Sequence, residues 1–101
     1  MPRLDVYAVA EANPPGYVVD VQSSLLDHLA TRVVVPLAAK SIAPLPIRDM
    51  NPDFEINGGQ YTMLTQFISS IPARNLRNPV ASLAAHHDAI TRALDILLLG
   101  F

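Results

Sequence analysis

The spacing of apolar residues changes once along this 101-residue chain, from alternation to helical intervals. Near the start, Leu4, Val6 and Ala8 occupy every second position, which is typical of a half-buried β-strand. Over residues 83–101 the apolar residues follow the spacing of an amphipathic helix. Strands followed by one terminal helix predict an α+β fold or a small antiparallel β-barrel, because a doubly wound sheet alternates strands with helices.

Two more segments with strand character follow, at residues 17–22 and 32–35. Pro14-Pro15-Gly16 separates the first of them from the opening strand, with which it is predicted to pair. We expect the second to end at Pro36, because proline has no N–H to donate to a neighbouring strand. Residues 38–52 are rich in proline and predict a loop with at most a short strand near Ile47.

The clearest local signal is Asn57-Gly58-Gly59, which lies between two further strand-like segments. Asn-Gly supplies the positive φ angles that a tight hairpin turn requires, so residues 54–56 and 60–67 are predicted to pair. Ile71-Pro72 ends the next segment, and residues 74–76 are a candidate edge strand.

The terminal helix has two candidate starts, Asn78-Pro79 and Ser82. Its expected length is about 16 residues, or ~24 Å. His86 and His87 are adjacent, so on a helix they point about 100° apart and cannot bind one ion together. We therefore expect His87 to be half-buried on the apolar face, His86 to be solvated, and no metal site.

Composition argues against several classes of function. The absence of cysteine excludes disulfides, thiolate metal sites and cysteine nucleophiles. The net charge is -2, whereas nucleic-acid binders normally carry a basic excess. Asp5 and Glu11 interrupt any signal peptide, and no stretch approaches the ~18 apolar residues of a membrane span. We expect one cytoplasmic domain over residues 1–101, with no sequence-specific nucleic-acid contact and no membrane partner.

The polar residues do not predict a catalytic or cofactor site either. Ser23 and Ser24 lie beside two aspartates, but turn and cap roles are far commoner for these residue types than catalysis. Asn57-Gly58-Gly59 lacks the lysine and hydroxyl residue of a phosphate loop and precedes a strand instead of a helix. We therefore predict no catalytic residue and no cofactor.

The end of the chain is the most informative segment for function. Ile96-Leu97-Leu98-Leu99-Gly100-Phe101 is apolar around the whole helix circumference. One face can pack on the sheet, so the other is exposed or meets a second molecule. Two interpretations are compatible with each other: a terminal helix buried in a dimer interface, and a recognition tail in which Gly100 and Phe101 protrude beyond the fold.

Several segments, taken in order, resemble one known family. They are Val19-Asp20-Val21-Gln22-Ser23, Arg32 and Val35-Pro36-Leu37-Ala38, with further matches at Val6-Tyr7, Met63, Thr65, Pro72, Ile90, Ala93 and Gly100. In order and spacing the whole chain is similar to the CcdB family, the gyrase-poisoning toxins of type II toxin–antitoxin modules. The resemblance implies an SH3-like β-barrel with a smaller inserted sheet and a C-terminal helix, assembled as a homodimer.

The resemblance also implies a function without catalysis. Such a dimer would bind the DNA gyrase A subunit, trap the cleaved enzyme–DNA complex as a topoisomerase inhibitor, and serve plasmid maintenance. A CcdA-like antitoxin with a disordered C-terminal segment would remove it. Leu99 stands where plasmid-borne members have tryptophan, and Asp95 where they have asparagine. The implied gyrase-binding residues are Leu25, Leu26, Asp95, Leu98, Leu99, Gly100 and Phe101.

Two alternatives to gyrase poisoning stay open. Ribonuclease toxins of the MazF/Kid type share this fold, and Arg74, Arg77 and His28 are the candidates for their acid–base and phosphate-binding chemistry. The other alternative is a weakened homologue that only binds antitoxin, which the departures at Asp95 and Leu99 suggest.

Overall fold

The computed structural model describes residues 2–9 and 16–101. Seven strands precede one α-helix in these residues: β1 Asp5–Val9, β2 Gly16–Asp20, β3 Thr31–Ala39, β4 Asp53–Ile56, β5 Gly59–Met63, β6 Ser69–Pro72, β7 Ala81–Ser82 and α1 His87–Leu99. Short 3₁₀ turns occur at Ser24–Leu26, Thr65–Phe67, Ala73–Asn75 and Ala84–His86. The predicted break at Pro14-Pro15 lies outside the described residues. In the described part, no helix has the length and apolar character to span a membrane.

Strand β3 organises the sheet because it pairs along both of its edges. The strands run antiparallel in the order β4-β5-β3-β2-β1-β7, and β6 also pairs with β3. One edge of β3 pairs with β2, while the other pairs first with β6 and then with β5. The change of partner curls the sheet into a nearly closed barrel. The predicted strand-to-helix order and the SH3-like barrel with a C-terminal helix are confirmed.

The predicted end of β3 at Pro36 is wrong, because the strand continues to Ala39. Its pairing with β6 ends at Val34 and its pairing with β5 begins at Leu37, so Pro36 lies between the two partners on that edge. The Pro36 carbonyl points to the same edge, where it accepts a hydrogen bond from the Leu64 N–H at 2.9 Å. The missing proline N–H therefore falls at a gap in the pairing, where it removes no ladder bond.

Adjacent residues on the central strands are buried on opposite faces of the sheet, as strand geometry requires. One face forms the larger core together with α1, and its members include Val6, Val19, Val35, Leu37, Met63, Ile90 and Ala93. The other face forms a smaller cluster of Tyr7, Val18, Val34 and Leu76. Burial on both faces explains why these strands read as nearly continuous apolar runs.

The predicted hairpin is confirmed. Asn57 and Gly58 have φ angles of 50° and 87°, the left-handed values that this tight turn needs. The second arm is shorter than predicted because β5 ends at Met63, whose carbonyl accepts a hydrogen bond from the Asn51 side-chain amide at 3.0 Å. A 3₁₀ turn at Thr65–Phe67 then leads to β6.

The terminal helix does not begin at Asn78-Pro79, the first of its two predicted starts. Asn78 has a φ angle of 50° and is followed by β7, which pairs with β1. The second signal is closer, because the Ser82 hydroxyl accepts a hydrogen bond from the Ala84 N–H at the 3₁₀ turn that precedes α1. The edge strand predicted at residues 74–76 is also wrong, since Ala73–Asn75 is a 3₁₀ turn. At Asn78-Pro79, the pairing of β7 with β1 therefore overrides the local helix-start signal.

The β4–β5 pair leads to a prediction about acid stability. Thr62 Oγ1 donates to Asp53 Oδ1 at 2.6 Å, and Lys40 Nζ lies 3.0 Å from Asp53 Oδ2. The Thr62 hydrogen bond, assisted by Lys40, outweighs burial and lowers the pKa of Asp53 below 3.8. The carboxylate therefore contributes stability above its unfolded pKa, and this contribution is lost as pH falls through its folded pKa.

Asp53→Asn is expected to lower the free energy of unfolding at neutral pH by less than about 1 kcal/mol, the range of partly exposed ion pairs. The difference from the unsubstituted protein should shrink as the pH falls below 3.8, because the native carboxyl then becomes protonated. Urea unfolding across this pH range measures it. A difference that stayed constant with pH would contradict the proposed titration.

Candidate functional site

The chain ends in an exposed apolar surface, here called the helix tip and consisting of Leu98, Leu99, Gly100 and Phe101. The exposed fractions of Leu98, Leu99 and Phe101 are 69%, 63% and 86%. Gly100 ends α1 with a φ angle of 85°, and its N–H donates to the carbonyls of Asp95 and Ile96. This left-handed turn, which glycine adopts without strain, directs Phe101 away from the helix.

The opposite face of α1 anchors the helix to the barrel. Ile90 and Ala93 are fully buried in the larger core, and Leu94 packs against that core while partly exposed. Asp95 is half-buried one turn before the helix tip. The helix is therefore attached through its first turns, and its apolar end is left uncovered within this chain.

A second exposed apolar surface lies between β2 and β3, in residues 23–30, here called the leucine loop. Leu25 is 87% exposed, and Leu26 and Leu29 are exposed to a smaller extent. The loop is nevertheless well structured: Ser24–Leu26 is a 3₁₀ turn, and the Ser23 hydroxyl accepts a hydrogen bond from the Leu25 N–H at 3.2 Å. It combines ordered backbone with exposed leucines.

A buried polar network lies beneath the leucine loop. Arg32 is completely buried and donates through Nε to Asp20 Oδ2 at 2.9 Å, and through Nη1 to Asp27 Oδ1 at 2.7 Å. Burial alone would lower the pKa of Arg32, but its hydrogen bonds to Asp20 and Asp27 outweigh that effect and raise the pKa above its usual value. Gln22 donates to the Leu26 carbonyl and accepts from the Val33 N–H.

The sequence interpretation missed this network. The available signal was a charged residue within each of two β-branched strands, Asp20 in β2 and Arg32 in β3. Buried charges occur in proteins when they are paired. Two opposite charges in neighbouring strands were therefore candidates for contact, although the third partner, Asp27, lies in a loop and could not be inferred from alternation.

A cavity of about 560 Å³ lies between β2 and the end of β3. Its walls are mostly apolar, and they include Tyr17, Pro36, Leu37, Ala39, Ile42 and Tyr61. The Tyr17 and Tyr61 rings meet edge to face, with centroids 4.9 Å apart. Burial raises the pKa of the Tyr61 phenol above 10.0, and the neighbouring Tyr17 adds a smaller effect in the same direction. The phenol is therefore protonated at neutral pH. Sequence patterning gave no indication of this cavity.

One of the two neighbouring histidines differs from the expectation. His87 is exposed, with its Nδ1 3.4 Å from the Asp88 carboxylate, so its predicted half-burial on the apolar face is wrong. His86 is exposed as predicted, and its ring also contacts the buried Phe54 ring, with centroids 5.0 Å apart. Of the described residues, no group of three or more His, Asp or Glu side chains is arranged to hold a metal ion.

The segments that carry the residues proposed for ribonuclease chemistry lie side by side, because the Ala73 N–H donates to the Ala30 carbonyl at 2.8 Å. Arg77 Nε donates to the Arg74 carbonyl at 3.5 Å, and both residues are exposed. His28 lies in the leucine loop. Within residues 2–9 and 16–101, no hydrogen bond or ion pair joins His28 to either arginine. The two surfaces defined above, the helix tip and the leucine loop, are apolar and exposed.

Comparison with known proteins gives one family and one related fold. The family model described as "CcdB protein" matches residues 3–100. Among solved structures, the chain is similar to an endoribonuclease in complex with its cognate antitoxin from mycobacterial species, with a TM-score of 0.75 and 18% sequence identity. That match covers 97% of this chain and 95% of the other. At this identity the structural likeness shows the shared fold alone.

Removing Gly100 and Phe101 is expected to leave the melting temperature within a few degrees of that of the full chain, because exposed terminal residues contribute little to a fold. The matched comparison is Ile90→Ala, which removes a fully buried side chain and should cost about 2–5 kcal/mol. Thermal unfolding of the three proteins measures both effects. A loss on truncation as large as that of Ile90→Ala would show that the helix tip is structural.

Proposed function

Because this chain belongs to the CcdB family, a family of toxins of type II toxin–antitoxin modules, we propose that it binds the DNA gyrase A subunit and traps the cleaved enzyme–DNA complex. The observation that carries the proposal is the helix tip, where an aromatic side chain at the chain end is 86% exposed. Exposed apolar clusters mark contact surfaces, and buried aromatic anchors dominate binding energy at interfaces.

The proposed action is inhibition by protein–protein contact, without catalysis. The helix tip and the leucine loop present apolar side chains, which suit burial against a partner. Leu25 and Leu26 form the proposed contact in the loop, while Leu98, Leu99, Gly100 and Phe101 form it at the helix tip, flanked by Asp95. Asp95 adds a negative charge beside that contact, so the gyrase surface it meets should supply a positive or polar group.

We further propose that the protein acts as a homodimer in the cytoplasm. A twofold axis would present two copies of the helix tip to a symmetric target, and two linked contacts bind more tightly than one. The partly exposed Ile96 and Leu97 of α1 support this arrangement, because a second chain would cover apolar side chains outside the helix tip.

Light scattering at micromolar concentration is expected to give a mass near ~22 kDa, twice the 10.9 kDa of one chain. A dimer that involves the helix should also melt at a temperature that rises with protein concentration. A single ~11 kDa species at every concentration would contradict the homodimer.

The second proposed partner is a CcdA-like antitoxin. Family membership supports an antitoxin, and the structural neighbour was solved in complex with one. A disordered antitoxin segment would order itself on the toxin surface and could displace gyrase by competing for shared residues. Plasmid maintenance is the proposed biological role of such a pair.

The alternative is a ribonuclease toxin on the same barrel, which is favoured by the structural likeness to an endoribonuclease. Against it stand the net charge of -2, which gives no basic excess for binding RNA, and the lack, among the described residues, of a hydrogen bond or ion pair between His28 and either Arg74 or Arg77. A weakened homologue that binds only antitoxin would retain the fold and lose activity toward both targets.

One set of assays separates these functions. The protein and its variant without Gly100 and Phe101 are added to gyrase with supercoiled DNA, and the accumulation of cleaved DNA is measured. We expect the full chain to trap cleaved DNA and the truncated chain to fail. RNA cleavage in place of trapping would favour the ribonuclease, and inactivity in both assays with retained antitoxin binding would favour the weakened homologue.

Leu99 allows a sharper test of the helix tip. Tryptophan offers a cation–π surface that contributes about 0.5–2 kcal/mol, as well as more apolar area than leucine. Leu99→Trp is therefore expected to tighten binding to a gyrase A fragment by about 10- to 100-fold. Leu45→Trp is the matched control, because Leu45 is 92% exposed in a different segment.

The alternative at the helix tip is that Phe101 has become the aromatic anchor. In that case Leu99→Trp would be neutral or harmful, and Phe101→Ala would cause the larger loss of affinity. Titration of both variants against the gyrase A fragment distinguishes the two arrangements. Unchanged affinity in both would show that the helix tip is not the contact.

A further inference from the structure

The leucine loop combines exposed leucine side chains with a hydrogen-bonded backbone. Its most exposed side chain, Leu25, gains little from burial within this chain. Its backbone is nevertheless held by hydrogen bonds from the Leu26 N–H to the Ser23 carbonyl at 3.0 Å and from the Leu29 N–H to the Leu26 carbonyl at 3.1 Å. An ordered loop that exposes leucines is suited to apolar contact with a partner.

Two side chains fasten this loop to the β2–β3 pair. The Gln22 amide donates to the Leu26 carbonyl at 3.0 Å, while its oxygen accepts from the Val33 N–H at 2.9 Å. Arg32 reaches the loop through Asp27 at 2.7 Å. Both connections therefore start from residues within or directly beside the barrel strands and end on two consecutive loop residues.

The Arg32 connection is anchored more deeply than an ordinary surface ion pair. Arg32 is fully buried, and its Nη2 lies 2.7 Å from the equally buried Asp20 Oδ2. Asp20 also accepts a hydrogen bond from the Gln22 N–H at 3.0 Å, so it links Gln22 to Arg32. The Asp27 side chain remains 43% exposed, so it links the buried pair of Arg32 and Asp20 to the solvent-facing loop.

Stability alone is a weak explanation for this network. Burying charged groups carries a desolvation penalty, and apolar side chains of similar volume often replace a buried ion pair without loss. A network of this kind does, however, hold its members in one geometry. A loop that is already ordered loses less conformational entropy when it binds.

We propose that Asp27, held by the buried Arg32, is a positioning residue that orders the leucine loop for contact with the gyrase A subunit. This inference rests on the proposed function for the identity of the partner, and on the described contacts for the ordering of the loop. Asp27 acts through Leu25 and Leu26, which make the contact.

The test compares Asp27→Ala with Asp53→Ala, a matched substitution of another ion-paired aspartate in β4. Amide hydrogen exchange reports loop order without any partner. In Asp27→Ala the backbone N–H groups of residues 26 and 27 should exchange about 10-fold faster, while α1 amides keep their rates. Asp53→Ala should leave the loop unchanged. Unchanged loop exchange in Asp27→Ala, or an equal rise throughout the protein, would overturn the positioning role.

Titration with the gyrase A fragment then tests the consequence for binding. Asp27→Ala is expected to weaken binding about 5- to 10-fold, and the loss should be smaller when Leu25→Ala is already present, because both substitutions act on one contact. Asp53→Ala should bind as the unsubstituted chain does. Additive losses, or a loss in Leu25→Ala with none in Asp27→Ala, would overturn the inference.

These experiments distinguish a failure of the proposed function from a failure of the positioning role of Asp27. If the unsubstituted chain does not bind the gyrase fragment, gyrase poisoning fails and the binding part of this inference fails with it. The exchange experiment still decides whether Asp27 orders the loop. If the unsubstituted chain binds and Leu25→Ala has no effect, the helix tip retains its proposed contact and the leucine loop is excluded from it.

Discussion

Backbone pairing along both edges of β3 is the constraint on which the rest of this protein depends. β3 joins β2 on one side and both β6 and β5 on the other, so it brings together segments distant in the chain. Its first residues carry Arg32, which organises the leucine loop, and its last residues line the cavity beside Tyr17 and Tyr61. Pro36 is tolerated within β3 because it lies after the pairing with β6 has ended and before the pairing with β5 begins.

The barrel buries most of its apolar side chains and leaves exposed apolar surfaces at two segments, the helix tip and the leucine loop. Ile90 and Ala93 bury one face of α1 in the larger core, and the end of the same helix remains uncovered. At the leucine loop, polar side chains beneath the backbone hold exposed leucines in place. In both cases buried residues set the position of exposed apolar residues, an arrangement that suits the proposed inhibition by protein–protein contact.

The sequence allowed much of the fold to be predicted, because the signals involved are local. Asn57 and Gly58 accept left-handed backbone angles, which made the hairpin predictable, and period-two alternation located the first strand. Local signals failed where distant pairing decided the outcome. Asn78-Pro79 suggested a helix start, but pairing between β7 and β1 placed a strand after it. His87 fitted a helical stripe, although the helix begins there and turns the side chain toward solvent.

For the candidate site, the sequence by itself determined that the chain ends in an apolar helix with Gly100 and Phe101 beyond its last turn. Helical periodicity and the left-handed preference of glycine depend on neighbouring residues alone. Only the tertiary structure decided which apolar residues remain uncovered and which charged residues meet. Asp20, Asp27 and Arg32 come from a strand, a loop and a second strand. Their contact exists because β2 and β3 pair, and a pairing register depends on the packing of both sheet faces at once.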